Sequence, residues 1–130
     1  VPAKGASGWQ QSNAQIFSMA AHLASLEIFE QAGIENLRSK SEQMTGYLEN
    51  LLKEIPQIKI ITPSNPKDRG CQLSLIALDK PKELFKYLQE NGIITDWREP
   101  DVIRVAPVPL YNRYEDCWVL ADCIKQFYNL

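Results

Sequence analysis

In this 130-residue chain the hydrophobic period first changes at Pro56, which limits the fold to a helical part followed by a part in which strands and helices mix. Before the proline, Ile34, Leu37, Met44, Leu48, Leu51 and Ile55 recur at threes and fours, the spacing of one helix face. A helix over that run is about 33 Å long at 1.5 Å per residue, and Pro56 stops it. Glu35, Lys40, Glu42, Glu49 and Lys53 fall on its wet side. After the proline, residues 58–61 read as a short strand and residues 62–70, with two prolines, as a loop. Residues 71–78 alternate: Cys71, Leu73, Leu75 and Ala77 on one face, Gln72, Ser74, Ile76 and Leu78 on the other. Pro81 suits a first helical position, Leu84, Phe85 and Leu88 supply a core stripe, and Asn91-Gly92 closes the helix. Residues 93–97 and 102–106 predict an antiparallel hairpin turning at Glu99, Pro100 and Asp101. Asn112 and Glu115 have capping-box spacing before a last helix striped by Cys117, Leu120, Ala121, Ile124, Phe127 and Tyr128.

Upstream, the chain begins at Val1 without Met and runs into GASGWQQSN, residues 5–13, a loop that reads like a cut end. Ser12 and Gln15 again have capping-box spacing, so a helix is expected from Ala14. Residues 14–29 are apolar or small almost all round, which in so short a chain implies a neighbour that covers them. The order is two helices, two strands, helix, two strands, helix. That order gives an α+β fold, a mostly antiparallel sheet of about four strands covered by helices.

Composition narrows the function classes. With 14 Lys plus Arg against 16 Asp plus Glu the net charge is -2, with no basic face, so nucleic acid is not an expected partner. Area scaling buries about two thirds of the extended surface, enough for a core without disulfides. No apolar run approaches the roughly 18 residues that span a bilayer, and the N-terminus lacks a signal-peptide pattern; no membrane partner and a cytoplasmic location are expected. Cys71, Cys117 and Cys123 are odd in number, lack C-x-x-C spacing and sit among apolar residues, which suits buried free thiols and no metal site.

Arg104 is the most informative side chain, because it lies in VIRVAPVPL, a strand otherwise built from apolar residues. A guanidinium there needs an anion, either Asp96 or Asp101 in a structural pair or the carboxylate of a ligand. Asn13 is the second candidate. If Ser12 caps the helix, the Asn13 amide is free at a helix N-terminus; otherwise Asn13 is itself the cap. Gly5 and Gly8 mark a tight turn or a close approach of the backbone. His22, the single histidine, has no nucleophile beside it and reads as a core or interface residue. Lys4 in AKGAS lacks the order of a phosphate loop. Arg69, Trp97 and Arg98 read as turn and rim residues, and Tyr47 and Tyr111 as structural.

These stretches together resemble the C-terminal part of kynureninases, fold-type I enzymes dependent on pyridoxal 5'-phosphate. The resemblance spans nearly the whole chain, in GASGWQQSN (5–13), HLASLEIFEQAG (22–33), TGYLENLL (45–52), IITPSNPKDRGCQLS (60–74) and, most specifically, IRVAPVPLYN (103–112). It implies hydrolytic cleavage of L-kynurenine or 3-hydroxykynurenine to anthranilate or 3-hydroxyanthranilate and L-alanine, in tryptophan catabolism and NAD biosynthesis. By resemblance Arg104 binds the substrate α-carboxylate and Asn13 lines the substrate site. The Schiff-base lysine, which is not Lys4, the other cofactor-binding residues and an N-terminal large domain would lie upstream, so no catalytic residue is expected here and the 130 residues alone are expected to be inactive. The implied division is an entry loop (1–12), two joining helices (13–56) and a small α+β domain (57–130), in a homodimer. A class V aminotransferase or cysteine desulfurase uses the same small domain, but the RVAPVPLYN and GASGWQQSN strings argue against either. A free-standing amino-acid-binding or regulatory module is the alternative from another class.

Overall fold

A computed structural model describes residues 3–10 and 12–130. Val1, Pro2 and Gln11, which belong to the expected entry loop, lie outside the described residues. The chain divides into two compact units, Val1–Ile34 and Glu35–Leu130.

The first unit holds a single turn of 3-10 helix, Gly5–Trp9, and helix α1, Ile16–Ala32. Both readings of the glycines are realised: Gly5 has a φ of 74°, and a Cβ on Gly8 would collide with the carbonyl oxygen of Ala3. Helix α1 begins two residues later than its spacing predicts. Its N-cap is Gln15, in an extended conformation and without a side-chain cap bond, so Ser12 lies too far upstream to reach the first-turn amides. Gln15 instead accepts a hydrogen bond from the Ser18 hydroxyl at 3.4 Å. Gly33, with a φ of 77°, ends the helix as expected. Within its unit α1 buries no residue; Phe17 is 92% exposed and Ile16 78%.

The second unit is a two-layer α+β structure. Helix α2 (Ile34–Lys53) leads to strand β1 (Ile58–Ile60), β2 (Leu73–Ala77), helix α3 (Pro81–Glu90), the hairpin β3 (Asp96–Arg98) and β4 (Val102–Val105), and helix α4 (Tyr114–Tyr128). The four strands form one antiparallel sheet in the order β1-β2-β4-β3. Helix α3 therefore carries the chain from the centre of the sheet to its far edge, and the hairpin returns it to β2. Strict alternation on β2 and β4 buries Leu73, Leu75, Ala77, Ile103 and Val105. They pack with Met44, Leu48 and Leu52 of α2, Leu84 and Leu88 of α3, and Cys117, Leu120 and Ile124 of α4 in one core.

Three local expectations are corrected. Glu49 is buried rather than wet, because Arg69 reaches it from the loop before β2. Lys40 is half-buried, its ammonium donating to two carbonyls. The cap of α4 falls one residue later than the spacing predicts: Asp116, not Glu115, accepts from the backbone N–H of Arg113 at 2.9 Å. The Asn112 amide then supports that carboxylate at 3.0 Å.

Candidate functional site

Arg104 lies on β4 between two core residues, so the two-residue period turns its side chain to the sheet face away from α2, α3 and α4. Ser74 of β2 and Asp96 of β3 are its register partners. The register thus brings a carboxylate to the guanidinium. Arg104 Nε donates to Asp96 Oδ2 at 2.6 Å, and Nη2 donates to the same oxygen. Arg98 Nε adds a third bond to that oxygen at 3.1 Å. The hydrogen bonds from Arg104, with the charges of Arg104 and Arg98, hold the Asp96 carboxyl below its ordinary range. Two guanidinium groups on one carboxylate leave the cluster with a net charge of +1. Of the structural partners that the sequence left open, Asp96 is the one found. Its side chain is 48% exposed and that of Arg104 32%, so the cluster is open to an incoming anion.

The segment after Arg104, residues 106–112, is fixed by polar contacts. Lys40 Nζ donates to the carbonyls of Pro109 at 2.7 Å and Asn112 at 2.9 Å. The Asn112 side-chain oxygen accepts from Val108 N–H at 2.9 Å. Its amide joins the Asp116 cap, whose pKa is lowered by the Arg113 backbone N–H first and Asn112 second. The APVPLYN string is therefore a loop stapled between α2 and α4 directly beyond the arginine. Lys40 was not identifiable as a staple from helical spacing, because its partners are backbone carbonyls about 70 residues away.

Asn13 is exposed in the extended segment before α1 and does not cap that helix, so the capping alternative falls. It belongs to the first unit and Arg104 to the second. His22 is exposed rather than core, in a shallow apolar groove of about 310 Å³ with Met19, Leu23 and Leu26. Lys4 is exposed at the 3-10 turn. Trp97 packs on Phe85, centroids 5.6 Å apart, and Tyr47 meets Tyr114 edge-on at 5.7 Å.

Arg69, expected at a turn rim, is 9% exposed and pairs with Glu49 at 2.6 Å while also donating to the Pro63 carbonyl at 3.2 Å. Burial pushes the Glu49 pKa up, but the hydrogen bonds and charges of Lys53 and Arg69 outweigh it and leave the carboxyl below its ordinary value. This pair ties α2 to the 62–70 loop. All three cysteines are free; Cys117 and Cys123 are buried and Cys71 is half-buried. Burial raises the Cys117 thiol to about 11, too high for a nucleophile.

A cleft of about 570 Å³ opens beside the end of β4, lined by Leu48, Ile93, Thr95, Val105, Asn112 and Leu120 among others. Neither Arg104 nor a lysine is in its lining. Among the described residues no group of three His, Cys, Asp or Glu side chains could hold a metal ion, and no helix is long and apolar enough to cross a membrane.

Solved structures share the fold: a NifS-like protein superposes with a TM-score of 0.76 over 99% of this chain at 17% identity, covering 38% of that protein. A mutant of the cystine C-S lyase C-DES with glycine covalently linked to its PLP cofactor superposes with a TM-score of 0.73 over 94% of this chain at 20% identity, covering 32% of that protein. At those identities they establish the fold alone, a small α+β domain that makes up about a third of each of those longer chains. Kynureninases of Xanthomonas campestris pv. campestris and Flavobacterium psychrophilum are 52% and 48% identical over 130 residues, 96% of this chain and 31% of each relative. The chain thus spans about a third of the length of these curated relatives. The family model for the kynureninase C-terminal domain matches residues 37–124, which contain Arg104, its partner Asp96 and the stapled loop; the chain belongs to that family.

Proposed function

We propose that this chain is the C-terminal portion of a kynureninase, and that its chemical contribution is to grip the α-carboxylate of L-kynurenine or 3-hydroxykynurenine with Arg104. The observation that carries this reading is the family match across the strand and loop that present Arg104. The reaction of the whole enzyme is hydrolytic: substrate and water give anthranilate, or its 3-hydroxy form, and L-alanine. A planar guanidinium offers two parallel N–H donors to a carboxylate, which fixes the orientation of an amino acid as well as its affinity. On this reading Asn13 contributes its amide to the substrate wall.

Pyridoxal 5'-phosphate is assigned to the rest of that enzyme. Among the described residues no lysine lines the cleft beside β4, and Lys40 is bound to two carbonyls, in keeping with a cofactor-anchoring lysine elsewhere in the full-length protein. On this reading the 130 residues alone are inactive, and activity belongs to a cytoplasmic homodimer of the full-length protein. Feeding L-kynurenine to that protein tests the reading: anthranilate and alanine form in equal amounts without an amino acceptor. A requirement for a keto-acid acceptor, or release of sulfur from cysteine in place of anthranilate, would assign it to the aminotransferases or desulfurases instead.

A further inference from the structure

We infer that Asp96 is a positioning residue for Arg104, holding the guanidinium side-on so that its other edge faces the substrate carboxylate; this rests on the reading of Arg104 given above. A guanidinium has two edges that can each meet a carboxylate: the Nε/Nη2 edge and the Nη1/Nη2 edge. Asp96 takes the first, because both of its bonds from Arg104 come from Nε and Nη2 and converge on one oxygen, Oδ2. Nη1 takes no part in that grip, so the second edge stays available. Register enforces the arrangement: Asp96 and Arg104 are direct partners across the β3/β4 ladder, where side chains on neighbouring strands lie within reach of each other.

Charge supports the same assignment. A lone aspartate on Arg104 would neutralise it and compete with the substrate. Arg98, bonded to the same oxygen, restores a net positive charge, so a second carboxylate still meets an attractive field. Asp96 therefore orders the arginine without cancelling it. An unheld arginine has about three to ten times weaker binding, the cost of ordering one long side chain on association.

The test uses the full-length, cofactor-loaded enzyme. Asp96 is half-exposed, so Asp96→Ala leaves the fold intact, and the visible band of the bound cofactor verifies loading. Asp96→Ala is expected to raise KM for L-kynurenine three- to tenfold with kcat within twofold, and Asp96→Asn, which keeps an acceptor oxygen, to recover most of the loss. The effect is expected to vanish with a kynurenine analogue lacking the α-carboxylate, and in an Arg104→Ala background. An unchanged or lower KM in Asp96→Ala, an Asn variant no better than Ala, or an equal loss with the carboxylate-free analogue overturns the inference. If Arg104→Ala itself leaves KM and kcat unchanged, the reading of Arg104 fails, and the inference fails with it.

Discussion

Glu49 and Arg69 are 20 residues apart in sequence and form an ion pair with both side chains buried. Removing one member of such a pair leaves the other charge stranded, so Glu49→Ala is expected to cost about 3 kcal/mol, read as a lower urea midpoint. The pH dependence has a definite sign. The folded carboxyl titrates below its ordinary value of 4.5, so the pair's stabilisation is complete above that pH and is lost as pH falls through the folded value. Glu49→Gln is expected to flatten that acid limb; an unchanged acid limb would show that other carboxylates cause it. Asn13 makes its prediction at the same scale. If its amide lines the substrate wall, Asn13→Ala changes the ratio of kcat/KM for kynurenine over 3-hydroxykynurenine at least threefold while the melting temperature stays put, because the residue is exposed and caps nothing. A constant ratio removes Asn13 from the site.

At the level of elements, the α4 cap hangs on one carboxylate. Asp116 accepts from the Arg113 backbone and from Asn112, so Asp116→Ala unties both the helix start and the loop after Arg104. A cap of this kind is worth about 1 kcal/mol, and thermal melts of Asp116→Ala should show that loss, fading as pH falls through the depressed Asp116 value. An Asp116→Ala melt indistinguishable from the parent would leave the cap without energetic weight. The elements themselves were legible because each is a periodic pattern: the shift at Pro56 and the Asn91-Gly92 stop appear in the structure, and the alternation read over residues 71–78 forms the shorter strand Leu73–Ala77. What was not legible is long-range polar pairing. Helical spacing puts Glu49 and Lys40 on a wet face; only the tertiary approach of Arg69 and of the Pro109 and Asn112 carbonyls buries them. Capping-box spacing misplaced two helix starts, since Ser and Asn in such patterns serve equally in turns, as Asn112 does by bracing its own loop. Arg104 was legible for a chemical reason, a charge in an apolar strand, and register selected Asp96 as its structural partner.

For the molecule as a whole, the two units differ in kind. The second has a closed core; the first exposes Ile16, Phe17, Leu23 and Ile28 along one helix with nothing in its own unit to cover them. The curated relatives are about three times as long as this chain, and the proposed large domain and dimer partner are the surfaces assigned to that helix. The central claim is that this portion supplies the carboxylate grip of a kynureninase, and it is tested most directly by kcat/KM for L-kynurenine in full-length Arg104→Ala. Loss of a charge-assisted, two-donor contact predicts a fall of about 100-fold or more, with the cofactor band intact. A kcat/KM equal to that of the parent enzyme would contradict the claim.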